Sequence, residues 1–227
     1  MDYFNNRKKP PEETKQKEFW RLKEWFTDLS DESINKLKLF NTEVIKLNPS
    51  LNLISEKTIP FSDVIHFADC IMASREIVKE GKPTAITDIG LGNGFPGVVM
   101  AVLYPQLKVT VLDKDPRKVE YIMHMAKLLQ LKNLESQIVG IDSLGAGSLD
   151  TVVMRGTTAI SKAILVLRKQ VKKGGSLYMM KSEEWATEVA NIPSQLCSYW
   201  IPSLVGEYRL PVGEVKFAVI KLKKIAE

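Results

Sequence analysis

The stretch that decides the fold of this chain is DIGLGNGFPG, residues 88–97. It overlaps the end of AITDIG (85–90), a short apolar run typical of a buried strand, and it leads into a helical pattern over residues 95–104. Glycines at such a junction adopt φ values that side chains forbid, and they let a ligand approach the backbone. The stretch therefore predicts a ligand-binding loop at the carboxyl end of the first strand of an α/β sheet.

The spacing of the glycines narrows the choice of ligand. Gly90, Gly92 and Gly94 form G-x-G-x-G, whereas the dinucleotide fingerprint G-x-G-x-x-G would place its third glycine at Phe95. A bulky aromatic side chain there disfavours a pyrophosphate on the helix N-terminus. No lysine follows in the P-loop pattern either. Nicotinamide dinucleotides and nucleoside triphosphates are therefore poorly supported.

Two carboxylates complete the predicted cofactor site. Asp113 ends the second predicted strand, KVTVLD (108–113), roughly 20 residues beyond Gly90, where a carboxylate accepts hydrogen bonds from ribose hydroxyls. S-adenosylmethionine has that ribose, carries a cationic sulfonium and lacks phosphates. We therefore expect S-adenosylmethionine as the cofactor, bound by residues of this loop and strand end: Asp88, Gly90, Gly92, Gly94, Phe95 and Asp113.

Strands and helices alternate along the second part of the chain. Strands are predicted at 85–90, 108–113, 134–139, 150–155 and 176–181, with helical patterns at 95–104, 115–130, 161–171 and 183–191. Two strands without an intervening helix follow between 197 and 224. This order predicts an α/β fold with a Rossmann-like, doubly wound, mostly parallel sheet and one antiparallel strand.

The first part of the chain has helical periodicity. Apolar residues recur at helix spacing from about residue 16, again after the N-cap candidate Ser30, and in a third helix from about residue 60 to 80. We therefore expect a flexible tail over residues 1–15, an N-terminal helical cap over 16–80 and a cofactor-binding domain over 81–227.

Composition sets outer limits on function. The chain has 32 Lys and Arg against 27 Asp and Glu, a net charge of +5, which is compatible with a nucleic-acid partner without requiring one. Its two cysteines form no C-x-x-C pair, and no metal-ligand cluster is evident. No apolar targeting segment or membrane-spanning run is present, so we expect a cytoplasmic monomer without a membrane or metal partner.

The sequence lacks two signatures of known methyltransferases, and this narrows the range of possible methyl acceptors. Methyltransferases that act on exocyclic amines usually carry a [D/N/S]-P-P-[Y/F/W] loop after the fourth strand, but this chain has MRGTT (154–158) there. A pyrimidine carbon needs a nucleophilic cysteine, and neither Cys70 nor Cys197 lies in a fitting loop. Remaining acceptors include a purine ring nitrogen such as guanine N7, which carries no proton and needs no general base.

Two basic residues at strand ends are candidates for contacts to the acceptor. Arg155 ends the fourth predicted strand, where it either binds a base or phosphate or forms a salt bridge across the mouth of the crevice. Lys181 ends the fifth strand and is either a substrate contact or a solvated lysine. His66 and Asp69, spaced to share one helix face, favour a structural hydrogen bond that docks the helix.

These motifs resemble the RsmG (GidB) methyltransferases, which methylate N7 of a guanine in 16S ribosomal RNA. The resemblance rests on DIGLGNGFPG, LDKDPRKVEYI, VVMRG and GGSLYMMKS, with FNTEVIKLNPSLNLIS (40–55) and IHFADC (65–70) upstream and YRLPVGEVKFAVIKLKK downstream. It extends over about residues 35–224. The fold that it implies is that of class I S-adenosylmethionine-dependent methyltransferases, and the implied partner is ribosomal RNA or the small ribosomal subunit.

The resemblance also implies roles for particular residues. Gly90 and Phe95 match cofactor contacts, the R-x-E segment of the family falls on Gly140-Ile141-Asp142, and the arginine of its S-R-A motif is Arg155. We therefore add Ile141, Asp142 and Arg155 to the cofactor site and regard Arg155 as the catalytic candidate. Expected substrate contacts are Asn52, His66, Arg155 and Lys181.

Departures from the family motifs leave alternatives open. Gly140 replaces an arginine, Gly156 an alanine and Ile54 a threonine. These changes are compatible with an active enzyme, with a non-catalytic RNA-binding or ribosome-assembly factor on the same scaffold, or with a methyltransferase of small molecules.

Overall fold

A seven-stranded sheet forms the centre of the molecule, described by a computed structural model for residues 19–90, 92–156 and 158–227. The predicted tail at residues 1–15 lies outside this range. The strands are β1 (Ala85–Ile89), β2 (Lys108–Asp113), β3 (Leu134–Ile138), β4 (Leu149–Arg155), β5 (Val171–Ser182), β6 (Trp200–Arg209) and β7 (Lys216–Lys224).

The order of the strands is β3-β2-β1-β4-β5-β7-β6. Strands β1 to β5 pair in parallel, whereas β7 is antiparallel to both β5 and β6. Strand β7 is therefore the one strand of the sheet that runs against the others, as predicted. The reversal of order beside β1 brings the carboxyl ends of β1, β2 and β4 together, which is where ligands bind in doubly wound sheets.

Helices cover both faces of this sheet. They are α1 (Leu22–Trp25), α2 (Asp31–Leu51), α3 (Asp69–Gly81), α4 (Gly97–Leu103), α5 (Pro116–Leu128), α6 (Ile160–Val166), α7 (Trp185–Ala190) and α8 (Ser194–Cys197). Short 3-10 segments at Glu56–Phe61 and Ile141–Ser143 and a π-helical segment at Asp63–Ala68 complete the described elements.

Each face of the sheet has its own apolar core. The larger core includes the fully buried Phe40 and Phe67 from the N-terminal helices together with Val99 of α4 and Ile122 of α5. The smaller core joins α6 and α8 to the opposite face of the sheet. The N-terminal helices thus bury their apolar side chains in the same core as the helices of the sheet.

The N-terminal helices are more broken than their periodicity predicts. Among the described residues of the first predicted helix, only Leu22–Trp25 is helical, and Ser30 then caps α2 by accepting a hydrogen bond from the Ser33 backbone N–H at 3.1 Å. The third predicted helix begins as a 3-10 segment, continues as a π-helical segment and becomes α-helical at Asp69. Pro60, within the 3-10 segment, has no N–H to donate to a continuous helix.

The fifth strand begins earlier than predicted, because Gly174 and Gly175 lie inside it. Helix α6 accordingly ends at Val166. A Cβ atom at Gly175 would lie 2.6 Å from the Asp150 carbonyl oxygen, beside the irregular register between β4 and β5. The glycine therefore permits a close approach of two strands, which is a common role of glycine in a sheet.

Candidate active site

Two adjoining cavities open at the carboxyl ends of β1, β2 and β4. They share Ile89, Gly90, Ile141 and Val166. The first cavity has a volume of about 510 Å³ and extends along β2 and β3, and the second has a volume of about 250 Å³ and extends between β4 and α6. The first is also lined by Asp113, Lys114, Lys118, Gly140 and Asp142, and the second by Met154, Arg155, Gly156, Thr158 and Lys162.

The glycine loop needs its glycines for two different reasons. Gly92 and Gly94 have φ values of +58° and +86°, which side chains rarely adopt. A Cβ atom at Gly92 would overlap the Asp113 carboxylate, and one at Gly94 would lie 2.8 Å from Phe40. Gly90 lies at the junction of the two cavities. Gly90 thus lines both cavities, whereas Gly92 and Gly94 allow the loop to pack against Asp113 and Phe40.

Asp88 acts on the loop rather than on the cavities. Its carboxylate is buried and accepts a hydrogen bond from the Gly97 backbone N–H at 2.7 Å. Burial raises the pKa of Asp88 to about 7, although the Gly97 N–H and the positive charge of Arg155 both lower it. Asp88 lines neither cavity among their described residues. Asp88 therefore fixes the loop against α4, and its direct contact with the cofactor stays a prediction.

Asn93 is a structural residue of the loop that sequence reasoning missed. Its side-chain amide donates to the Leu53 carbonyl at 3.1 Å, and its Oδ1 accepts from the Phe95 backbone N–H at 3.1 Å. The only available signal was its position inside the glycine stretch. These bonds join the glycine loop to the segment that follows α2, so the two motifs belong to one structural unit.

Phe95 lies in an aromatic cluster beneath the loop. Its ring centroid is 4.9 Å from that of Phe40, 5.1 Å from Phe67 and 5.3 Å from His66. The side chain is 3% exposed and lines neither cavity among their described residues. The ring thus belongs to the core and the backbone N–H is bonded to Asn93, so the contact of Phe95 with the cofactor stays a prediction.

Four predicted cofactor residues line the larger cavity. Gly90, Asp113, Ile141 and Asp142 come from the ends of three successive β-α connections. Asp113 Oδ1 accepts from the Asp115 backbone N–H at 2.8 Å, which fixes the carboxylate at the end of β2. Lys114 and Lys118 line the same cavity and were not predicted. This set suits a ribose and a zwitterionic amino-acid group, because it offers carboxylates, cations and an apolar wall.

Arg155 joins the end of β4 to the N-terminal helices. Its Nε donates to Asp69 Oδ2 at 2.7 Å, a second nitrogen donates to the Ile65 carbonyl at 2.7 Å, and a third lies 3.3 Å from His66 Nδ1. Asp69 Oδ1 also accepts from the Tyr208 hydroxyl at 2.7 Å. The salt-bridge interpretation of Arg155 is thus confirmed, and Arg155 also lines the smaller cavity.

His66 is held in one tautomer by two neighbours. Nδ1 faces an Arg155 nitrogen and therefore accepts, so Nε2 carries the proton and donates to Thr58 Oγ1 at 2.9 Å. Thr58 in turn donates to the Ser55 carbonyl at 2.7 Å. Burial, with a smaller effect from the charge of Arg155, lowers the pKa of His66 to about 3. His66 is thus a neutral structural residue, and its expected contact to the substrate is not supported.

Asn52 and Lys181 differ sharply in exposure. Asn52 is exposed and ends α2 in a left-handed conformation, with φ at 48°. Lys181 is 5% exposed, and its amine donates to the Thr158 carbonyl at 2.6 Å and to both oxygens of Glu188 at 2.9 and 2.7 Å. Neither interpretation of Lys181 therefore fits, since it is not solvated and its three donors already have protein acceptors. Glu188 carried no sequence signal.

The described part of the chain gives no sign of a metal centre or a membrane helix. Within residues 19–90, 92–156 and 158–227, no group of three or more His, Cys, Asp or Glu side chains is placed to hold a metal ion. Among the helices of the same residues, none has the length and apolar character needed to cross a membrane.

The fold and the two cavities define a Rossmann-like methyltransferase that uses S-adenosylmethionine. The family model GidB, described as rRNA small subunit methyltransferase G, matches residues 33–201. A curated relative from Bdellovibrio bacteriovorus, Ribosomal RNA small subunit methyltransferase G 3, is 49% identical over 209 residues, which cover 92% of this chain and 95% of the relative. The chain therefore belongs to the GidB family, as the sequence motifs predicted.

More distant comparisons agree with the fold. A relative from Bordetella avium, Ribosomal RNA small subunit methyltransferase G, is 26% identical and covers 72% of this chain and 74% of its own length. A solved S-adenosylmethionine-dependent methyltransferase from Aquifex aeolicus aligns with a TM-score of 0.52 at 17% identity, over 80% of this chain and 97% of that one. The predictions of fold class, enzyme class and cofactor are thus confirmed.

Proposed function

We propose that this protein transfers a methyl group from S-adenosylmethionine to N7 of a guanine in small-subunit ribosomal RNA. One observation carries the proposal. The smaller cavity, which adjoins the predicted cofactor cavity at Gly90, has no Asp, Glu, His or Cys among its described lining residues, but it has Arg155 and Lys162. This lining suits an acceptor that needs no general base, and guanine N7 is such an acceptor because it has a lone pair and no proton.

The residues of the chain bind and orient the reactants. Bound S-adenosylmethionine supplies an electrophilic methyl group. Asp113 would accept hydrogen bonds from its ribose, and Gly90 would let the cofactor approach the backbone between the two cavities. Arg155 and Lys162 add positive charge beside the acceptor, which favours a phosphate or the O6 atom of guanine. Catalysis then consists of positioning and electrostatics.

The names of the curated relatives support the proposed substrate. Both of the relatives described above are named ribosomal RNA small subunit methyltransferase G. The net charge of +5 is compatible with RNA. We further propose that the protein is a cytoplasmic monomer, that residues 16–80 and 81–227 act as a cap and a cofactor-binding domain, and that Asn52, at the exposed end of α2, contacts the RNA.

The experiment is methylation of small ribosomal subunits that lack the modification. The protein is incubated with these subunits and S-adenosylmethionine labelled in its methyl group, and the RNA is then digested to nucleosides. We expect label in 7-methylguanosine from small-subunit RNA. Label in another nucleoside, on protein, on a small molecule or nowhere contradicts the proposal. Sedimentation velocity at micromolar protein concentration tests whether the protein is a monomer.

The second candidate is a catalytically weak RNA-binding or ribosome-assembly factor, because Gly140 and Gly156 depart from the family motifs. The methylation experiment separates the two functions. The proposed enzyme modifies the subunits with repeated turnover, whereas the weak factor binds RNA in a salt-dependent manner and transfers little label.

A further inference from the structure

An ion pair with a buried lysine lies behind the wall of the smaller cavity. Lys181 near the end of β5 and Glu188 on α7 meet at 2.7 Å, with their side chains 4% and 28% exposed. Neither residue lines either of the two cavities of the active site. A buried lysine is costly to maintain, because its ammonium group loses most of its hydration.

The ion pair forms hydrogen bonds with two backbone groups of the connection between β4 and α6, one a carbonyl and the other an N–H. Lys181 donates to the carbonyl of Thr158 at 2.6 Å, and Glu188 Oε2 accepts from the backbone N–H of Ile160 at 2.9 Å. Ile160 is the first residue of α6, so Glu188 also satisfies an amide that the helix itself leaves without a partner. One charged pair thus fixes both a carbonyl and an N–H of the same connection.

This connection forms part of the active-site wall. Gly156 and Thr158 line the smaller cavity. Gly156 has a φ of +135°, and a Cβ placed on it would meet no described heavy atom within 4 Å, so this side of the residue faces open space. The hydrogen bonds to Thr158 and Ile160 hold the backbone next to this part of the wall.

We propose that Lys181 and Glu188 are positioning residues for methyl transfer, because their ion pair fixes the β4–α6 connection against the smaller cavity. The inference rests on the proposed function. It replaces the expected contact between Lys181 and the substrate by an action through the backbone of Thr158 and Ile160. Misplacement of a positioning wall by about 1 Å lowers rates by about a hundredfold without removing any reacting group.

The two roles for Lys181 predict opposite behaviour of Glu188. If Lys181 held RNA directly, the loss of the nearby negative charge of Glu188 would leave RNA binding unchanged or strengthen it. If the pair positions the wall, Glu188→Gln harms the reaction as Lys181→Met does. Glu188→Gln leaves the buried ammonium of Lys181 without a charged partner, and replacing both residues removes that buried charge. The double variant is then less impaired than Glu188→Gln alone.

The test compares Lys181→Met, Glu188→Gln and the double variant with wild type. Glu184→Gln is the matched control, since Glu184 is exposed on the same segment. Two readouts are used: hydrogen exchange at the Ile160 amide, and kcat on small subunits alongside Kd for S-adenosylmethionine and for RNA. We expect both single variants to exchange Ile160 at least about tenfold faster and to lose about ten- to hundredfold in kcat, with both Kd values within about threefold.

The outcomes distinguish a positioning role of Lys181 from direct contact with RNA. Unchanged exchange and kcat in Glu188→Gln, together with weaker RNA binding in Lys181→Met, would overturn the inference in favour of direct contact. A wild-type protein that methylates no RNA contradicts the proposed function, whereas the exchange at Ile160 still shows whether the pair holds the connection. If Lys181→Met fails to fold, Glu188→Gln and the double variant decide the question.

Discussion

Arg155 connects the proposed reaction site to the scaffold through three different acceptors. The planar guanidinium reaches the Asp69 carboxylate, the Ile65 carbonyl and His66 at the same time. A lysine ammonium lacks the planar set of N–H donors of a guanidinium and cannot reach these three acceptors together. The identity of the residue, and not only its positive charge, therefore matters at this position.

Arg155→Lys is expected to lower the free energy of unfolding by about 2–4 kcal/mol and the methylation rate at least about tenfold, because Asp69 remains buried with an incomplete partner. Urea unfolding and single-turnover methylation measure the two effects. The control is Arg75→Lys, since Arg75 forms an exposed pair with Asp28. Equal effects of the two substitutions would contradict the structural role of Arg155.

Asp113→Ala is expected to weaken binding of S-adenosylmethionine by about 1–3 kcal/mol, because the ribose hydroxyl groups of the cofactor would be buried without an acceptor. Titration calorimetry measures the change. Asp150→Ala provides the control, because Asp150 pairs with Lys172 on an exposed surface. An affinity equal to wild type in Asp113→Ala would show that this carboxylate does not hold the ribose.

Gly92→Ala is expected to weaken cofactor binding more than Asp113→Ala does. The new Cβ would overlap the Asp113 carboxylate and would also require φ near +58°. The same calorimetric titration applies. Gly145→Ala is the matched control, since a Cβ there meets no described heavy atom within 4 Å. Normal binding by Gly92→Ala would mean that the loop adjusts freely.

At the scale of elements, the junction between β1 and α4 contains a buried carboxylate. The pKa of Asp88 is raised to about 7, whereas an exposed aspartate titrates near 3.8. Between these two values the folded protein binds more protons than the unfolded chain, so the contribution of Asp88 to stability falls as pH rises. Above about pH 7 the contribution no longer changes.

Asp88→Asn removes this dependence and keeps an oxygen for the Gly97 N–H. We expect wild type to lose about 3 kcal/mol of unfolding free energy relative to this variant between pH 5 and pH 8. Urea unfolding across this range measures the difference, and other titrating groups, including His66, cancel in the comparison. Parallel stability curves for the two proteins would contradict the raised pKa.

Local sequence patterns predicted the elements of the sheet better than those of the N-terminal helices. KVTVLD became β2 without a change of bounds, because its consecutive β-branched residues Val109, Thr110 and Val111 suit a buried strand. The predicted helix from about residue 16 is a single turn in its described part, since tertiary packing of Leu22 and Phe26 determines that segment. The glycines at 174–175 were predicted to form a turn, but close strand contact explains them.

Local sequence patterns predicted only part of the site as well. Glycine spacing and strand ends predicted Gly90, Asp113, Ile141 and Asp142 as cavity residues, because parallel topology alone brings these ends together. Side-chain pairing across the fold was not predictable. Arg155 meets Asp69 across 86 positions of the sequence, because the end of β4 lies beside α3, and no local pattern in the sequence encodes that contact.

At the scale of the whole molecule, the cap and the sheet share one core. Phe40 and Phe67, both 0% exposed, contact Phe95 in the glycine loop. A fragment of residues 81–227 would expose this surface. We expect the fragment to lack a cooperative thermal transition and to aggregate, because the loss of each such aromatic costs about 3–5 kcal/mol. Circular dichroism during heating tests this. A sharp transition in the fragment would show that the cap is dispensable for folding.

The position of β7 between β5 and β6 has a consequence for synthesis of the chain. Strand β6 precedes β7 in the sequence but pairs only with β7, so residues 200–209 have no place in the sheet until residues 216–224 leave the ribosome. A nascent chain stalled between these two strands presents the open edge of β5 and an unpaired β6, and both are surfaces that chaperones and proteases recognise. Chains that stop before residue 216 are therefore expected to aggregate more readily than chains that include β7.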